Sequence, residues 1–230
     1  MTNRSIKILK PLVFVVALTP FLVLVQHVRT SDLGADPVQW ITHFTGNWAI
    51  YVLLVSLAVT PVRRLSPRLA WLVRLRRMLG LFAFFYATLH LLTYVFLFSG
   101  FDLSGAIASL RAHDFASIKT QWLAVWPTMV EDVKKRRFIQ VGLVSYLLLF
   151  VLALTSPQWV MRRMGGKPWQ LVHRSVYVAA ALAVVHYWWL VKKGVMAPLR
   201  DTVILAALLL ARPAYRLLSK KKPAKVTANA

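Results

Sequence analysis

Long apolar runs bounded by basic residues constrain this chain more than any other feature. A hydrocarbon core about 30 Å thick takes about 20 helical residues to cross. Six runs approach or reach that length, near Leu12–Val28, Trp48–Val62, Met78–Phe98, Phe138–Ser156, Leu171–Val191 and Thr202–Leu218. The second is short and extends back toward Ile41, because the intervening residues are only weakly polar. The expected fold is therefore an all-α integral membrane protein, a six-helix transmembrane bundle. Its expected division is an N-terminal segment at 1–10, a transmembrane domain at 11–218 and a basic tail at 219–230.

Charge orients the bundle. The formal net charge is +22 with 58% hydrophobic residues and a mean hydropathy of +0.59. A nucleic-acid binder would gather its cations into one surface, whereas these fall between apolar runs. No nucleic-acid partner is expected. With the N-terminus inside, one side collects Arg4, Lys7 and Lys10, Arg63 to Arg77, Arg162 to Arg174, and Arg212 to Lys225. All seven acids then fall outside. The positive-inside rule thus gives an N-in/C-in topology. The first run lacks a small-residue cleavage site and reads as an uncleaved helix.

One segment opposes this order. Lys134, Lys135, Arg136 and Arg137 lie outside, after a long segment (104–130) that reads as partly helical along the interface. That run is either a docking element or, more economically, a lipid-contacting loop. Several tryptophans fall near helix ends, as an interfacial belt requires. Pro11, Pro20 and Pro61 sit where kinks are tolerated, and the glycines add little chemistry in this reading. Gly165–Gly166 with Lys167–Pro168 reads as the turn between the fourth and fifth runs.

The chemistry rests on histidine. With no cysteine, thiolate clusters, covalent haem attachment and disulfides are excluded. An imidazole inside an apolar run needs a partner, and a metal is the strongest available. His90 and His186 lie at similar depth, toward the outer ends of the third and fifth runs. They can clamp one haem iron from opposite sides, leaving no position for oxygen. His173 lies 13 residues before His186, about 20 Å along a helix, so one metal cannot bind both. At its depth the third run offers Arg77 rather than histidine. Arg76 or Arg77 can hold an anion such as a propionate or a flavin phosphate, or hydrogen-bond a quinone carbonyl. His173 suits either ligation of a second haem with an unusual partner or proton donation to a quinone or flavin. His43 can approach a haem edge, relay a proton, or simply sit at the interface. His27 and His113 read as solvated.

The segments LGADPV, HFTGNWA, TPVRRL, RLRRMLGLFAFFYATLHLLTY and, after a TS pair, WQLVHRSVYVAAALAVVHYWW carry a resemblance. Together they resemble the haem-binding membrane subunits of bacterial MsrPQ systems, the MsrQ (formerly YedZ) family, over residues 10–215. The resemblance implies a ferric-reductase-like transmembrane domain binding b-type haem, one or two per chain, with FMN associated. It maps the family's haem-ligand histidines onto His90, His173 and His186. It also implies the bacterial inner membrane and a periplasmic molybdopterin partner, MsrP, which would carry the methionine sulfoxide reduction itself. Electrons would come from the quinol pool or a cytoplasmic flavin reductase. Related oxidases continue into a flavin and nicotinamide domain; this chain ends soon after its last run and is expected to be a relay. Two other classes compete: a self-standing metalloreductase with an open iron position, and a non-redox transporter or assembly factor.

Overall fold

The computed structural model describes residues 3–192 and 194–220. Lys225 and most of the basic tail lie outside the described residues, as do the side chains of Arg4, Arg212 and Arg216. The described residues are helical, with no strand among them. Helix α1 spans Asn3–Thr30, α2 Pro37–Leu65, and α3 Arg76–Thr93, which continues as a wider π-helical turn over Tyr94–Phe98. A 3₁₀ segment, Pro67–Arg74, joins α2 to α3. Then come α4 (Leu103–Arg111), α5 (Phe115–Lys135), α6 (Arg137–Leu154), α7 (Gln158–Met164), α8 (Gly166–His173), α9 (Val176–Leu190) and α10 (Ala197–Lys220).

Four described helices are long and apolar enough to cross a membrane: Lys7–Thr30, Pro37–Leu65, Arg76–Phe98 and Arg137–Leu154. The second begins earlier than its apolar run because Asp36 caps it, its carboxylate accepting from the Gln39 amide at 2.9 Å. The fifth run is divided. α8 ends at His173 and α9 begins at Val176, with Arg174 and Ser175 keeping right-handed helical dihedrals between them. There the bonds tighten to i→i−3, from Ser175 to Val172 and from Tyr177 to Arg174. The Ser175 hydroxyl also donates to the Val172 carbonyl at 2.8 Å, competing with the backbone for that acceptor. The expected interfacial segment folds as α4 and α5, capped by Asp102 and Asp114. Of the residues expected to form the turn, Gly165, at φ +80, turns the chain between α7 and α8, while Gly166, Lys167 and Pro168 open α8 instead.

Packing pairs α2 with α3 and α6 with α9, while α10 covers α2 and α9. Small residues let these helices approach: Ala83, Ala179 and Ala180 are fully buried or nearly so. Ser145 donates across the α6–α9 seam to the Ala179 carbonyl at 2.8 Å. Many large side chains face outward, Leu12, Val16, Leu147 and Leu210 among them, as a lipid-facing surface does.

Tyr86 ties α1 to α3. Pro20 interrupts the α1 backbone, and at the next residue the ladder is bridged by a side chain. The fully buried Tyr86 hydroxyl donates to the Ala17 carbonyl at 2.7 Å and accepts from the Phe21 amide at 3.2 Å. Those two groups would otherwise bond to each other, four residues apart. Tyr86→Phe strips both of their partner. It should destabilise the protein by about 1–3 kcal/mol, read as a lower thermal midpoint in detergent; an unchanged midpoint would count against the bridge.

Asp201, one of the acids expected outside, is 1% exposed, facing the packing of α10 on α2 and α9. One carboxylate oxygen pairs with Arg200 Nε at 3.2 Å, and Arg200 itself lies over the Tyr51 ring. His27 is half-buried rather than solvated. Its Nδ1 bonds the Asp32 carbonyl at 2.9 Å and its ring packs on Trp40.

Candidate metal centre

Two histidines from two helix pairs meet in the bundle. The rings of His90 (α3) and His186 (α9) have centres 6.0 Å apart and planes 78° apart. Two imidazoles on opposite sides of one metal, each at a metal–nitrogen length of about 2 Å, place their ring centres about 6 Å apart. The pairing inferred from depth is thus realised in space.

Each ring is held in the same way. His90 Nδ1 bonds the Thr42 carbonyl of α2 at 3.0 Å, and His186 Nδ1 bonds the Phe138 carbonyl of α6 at 2.7 Å. A carbonyl only accepts, so each Nδ1 carries the proton and each Nε2 keeps its lone pair. That is how metal-binding histidines are oriented.

Glycine makes room for both rings, a role the sequence reading missed. A Cβ on Gly46 would lie 3.1 Å from His90 Nδ1, and one on Gly142 would lie 2.7 Å from His186 Nδ1. Each glycine stands four residues after the carbonyl that holds the ring, on the same helix face: Thr42 with Gly46, Phe138 with Gly142. The available signal was energetic. A glycine inside an apolar helix costs about 1 kcal/mol relative to alanine, so its presence points to close packing.

The histidines open onto a cavity of about 280 Å³. Its walls are largely apolar, with Ile50, Leu53, Leu143, Leu149 and Ala183 among them. Polar groups enter at a few points: His43, Asn47, Tyr94, Arg136 and Tyr146. His43 therefore does approach the candidate site. A flat apolar prosthetic group ligated on both faces fits this donor set: two opposed imidazoles with free Nε2 atoms, glycine behind each, and apolar walls.

His173 is elsewhere. Among the described residues no three His, Asp or Glu side chains gather to hold a metal. His173 stacks on Trp169 with centres 3.9 Å apart, and its Nε2 lies 3.1 Å from the Thr155 hydroxyl. That hydroxyl donates to the Val151 carbonyl, so it accepts from His173. Nε2 is occupied here, the reverse of the other pair. The half-buried Arg76 lies within electrostatic reach of His173, whereas Arg77 is exposed.

Residues 45–184 match the family model described as ferric reductase like transmembrane component. The chain is 43% identical over 210 residues to the protein-methionine-sulfoxide reductase heme-binding subunit MsrQ of Herminiimonas arsenicoxydans, covering 90% of this chain and 85% of that one. It is 41% identical over 211 residues to the MsrQ of Bordetella parapertussis, covering 91% and 90% of the two chains. With the MsrQ of Ralstonia nicotianae it shares 40% identity over 186 residues, covering 81% and 75%. A helical membrane protein with two opposed histidines, matching these proteins over most of its length, belongs to the MsrQ family of ferric-reductase-like transmembrane proteins.

Proposed function

We propose that the chain is a six-helix, N-in/C-in membrane cytochrome b of the bacterial inner membrane, relaying electrons from quinol to a periplasmic partner. The observation that carries this reading is the His90–His186 pair, ring centres 6.0 Å apart, with both Nδ1 atoms tied to carbonyls. The relatives' shared name, heme-binding subunit, supports it. A haem b held there would supply one-electron storage. The chain's residues would do the rest: His90 and His186 would hold the group, the Thr42 and Phe138 carbonyls fix their rings, and the apolar walls would exclude water.

His173 and Arg76 serve the other end of the bundle. There a charged group next to an imidazole suits proton exchange with a quinol or contact with FMN, or ligation of a second haem. Delivery of electrons by a cytoplasmic flavin reductase is the alternative to quinol. The acceptor in this reading is the molybdopterin enzyme MsrP, on which methionine sulfoxide would be reduced.

A reduced-minus-oxidised spectrum with haem counted per chain tests this directly. The expected result is a b-type spectrum that carbon monoxide leaves unchanged at the His90–His186 haem. A colourless purified protein would overturn the reading, and carbon monoxide binding at that haem would favour a metalloreductase.

A further inference from the structure

We propose that Arg136, with the Tyr94 hydroxyl beside it, anchors a propionate of the haem held between His90 and His186. The inference rests on the haem reading above and adds residues outside the ligand set. A b-type haem carries two carboxylates, and a carboxylate at the mouth of an apolar cavity needs donors. Among the described residues Arg136 is the one Lys or Arg that lines this cavity.

Its placement is built into the chain. Arg136 is the single residue between α5 and α6, with an extended backbone at φ −104, ψ 99. Its amide donates to the Asp132 carbonyl at 2.9 Å, closing α5. The Gln140 side-chain amide donates to the Val133 and Lys134 carbonyls at 2.9 and 3.0 Å, pinning α6 to the end of α5. Two residues beyond Arg136 is Phe138, whose carbonyl holds the His186 ring. One junction thus sets both the carbonyl that orients His186 and the cation that lines the cavity.

The guanidinium is aimed but not used up. Asp132 takes its Nε at 3.1 Å, which leaves the terminal nitrogens for a second carboxylate. Tyr94 stands one helical turn after His90, so both side chains leave the same face of the helix toward the cavity. Its hydroxyl is buried, has no hydrogen-bond partner among the described residues, and lies within electrostatic reach of Asp132 and Arg136. A buried hydroxyl without a partner among the described residues, within electrostatic reach of a guanidinium with open donors, suits a carboxylate. Lys134, Lys135 and Arg137 do not line the cavity. The basic run that opposes the charge order of the other loops therefore contains one cation with a specific task.

The test uses the full chain in detergent, stripped of haem and reconstituted with haem b or with its dimethyl ester, in which the propionates are capped. The wild-type chain should prefer haem b by about tenfold or more, the effect of one charge-assisted hydrogen bond. Arg136→Gln should abolish that preference, Tyr94→Phe should reduce it, Arg136→Lys should keep part of it, and Arg137→Gln should leave it intact. Loss of the cation should also disfavour the reduced haem; a tenfold effect would lower its midpoint by about 59 mV for one electron. An Arg136→Gln chain that keeps the wild-type preference and midpoint overturns the anchor. His186→Ala separates this from failure of the underlying reading: haem retained at wild-type level there removes the ligand assignment itself, whatever Arg136 does.

Discussion

His186→Ala should insert and fold as a helical membrane protein yet lose most of its b-type absorbance. The expected loss follows from the geometry of the pair. His186 supplies one of two free Nε2 atoms on either side of the cavity; His173 lies elsewhere with its Nε2 engaged by Thr155, and His43 lines the cavity from α2, which packs chiefly on the His90 helix. His90→Ala should behave the same way, since its ring faces the same cavity from α3. His173→Ala should leave this spectrum in place and affect the other end of the bundle. The measurement is haem per chain by pyridine haemochrome, with circular dichroism to confirm that the helices persist. Haem content unchanged in His186→Ala would overturn the assignment of this pair.

Gly142→Ala should be nearly as damaging, by a different route. Optimal contact between heavy atoms needs about 3.5 Å. A Cβ on Gly142 would stand 2.7 Å from His186 Nδ1 and 2.9 Å from its Cε1. The ring would have to retreat by roughly 0.8 Å, which breaks its bond to the Phe138 carbonyl and misplaces Nε2. Alanine is the better helix former by about 1 kcal/mol, so α6 itself should not suffer. The variant should therefore be at least as helical as the parent but largely haem-free. Gly46→Ala makes the graded comparison, because its Cβ would stand 3.1 Å from the His90 ring. It should keep more haem than Gly142→Ala, with a shifted midpoint. Full haem content in Gly142→Ala would show that the ring accommodates a methyl group and that the glycine has another cause.

These two variants separate what is local in the sequence from what is not. Depth along a membrane helix accumulates at about 1.5 Å per residue from the chain's own charged ends. His90 and His186 could therefore be matched, and His173 set apart, before any contact was known. Azimuth is different. Successive residues turn by about 100°, so Arg76 and Arg77 share a depth while facing different neighbours, and counting residues cannot choose between them. The structure places Arg76 near His173 and leaves Arg77 exposed. Gly46 and Gly142 went unread for the same reason, since a glycine's purpose lies on the helix opposite. The burial of Asp201 has the same origin, since it comes from the packing of α10 on α2 and α9.

The sequence by itself determined that this is a helical membrane protein, where its long apolar runs fall, and which histidines lie level with each other. Those properties depend on apolar length, basic flanks and helical rise, all local along one chain. Only the tertiary structure decided which nitrogen each histidine presents, which glycines admit the rings, and that Arg136 reaches the cavity mouth. Each of these depends on a backbone atom or side chain from another helix, and helix neighbours are chosen by packing, which acts between segments distant in sequence.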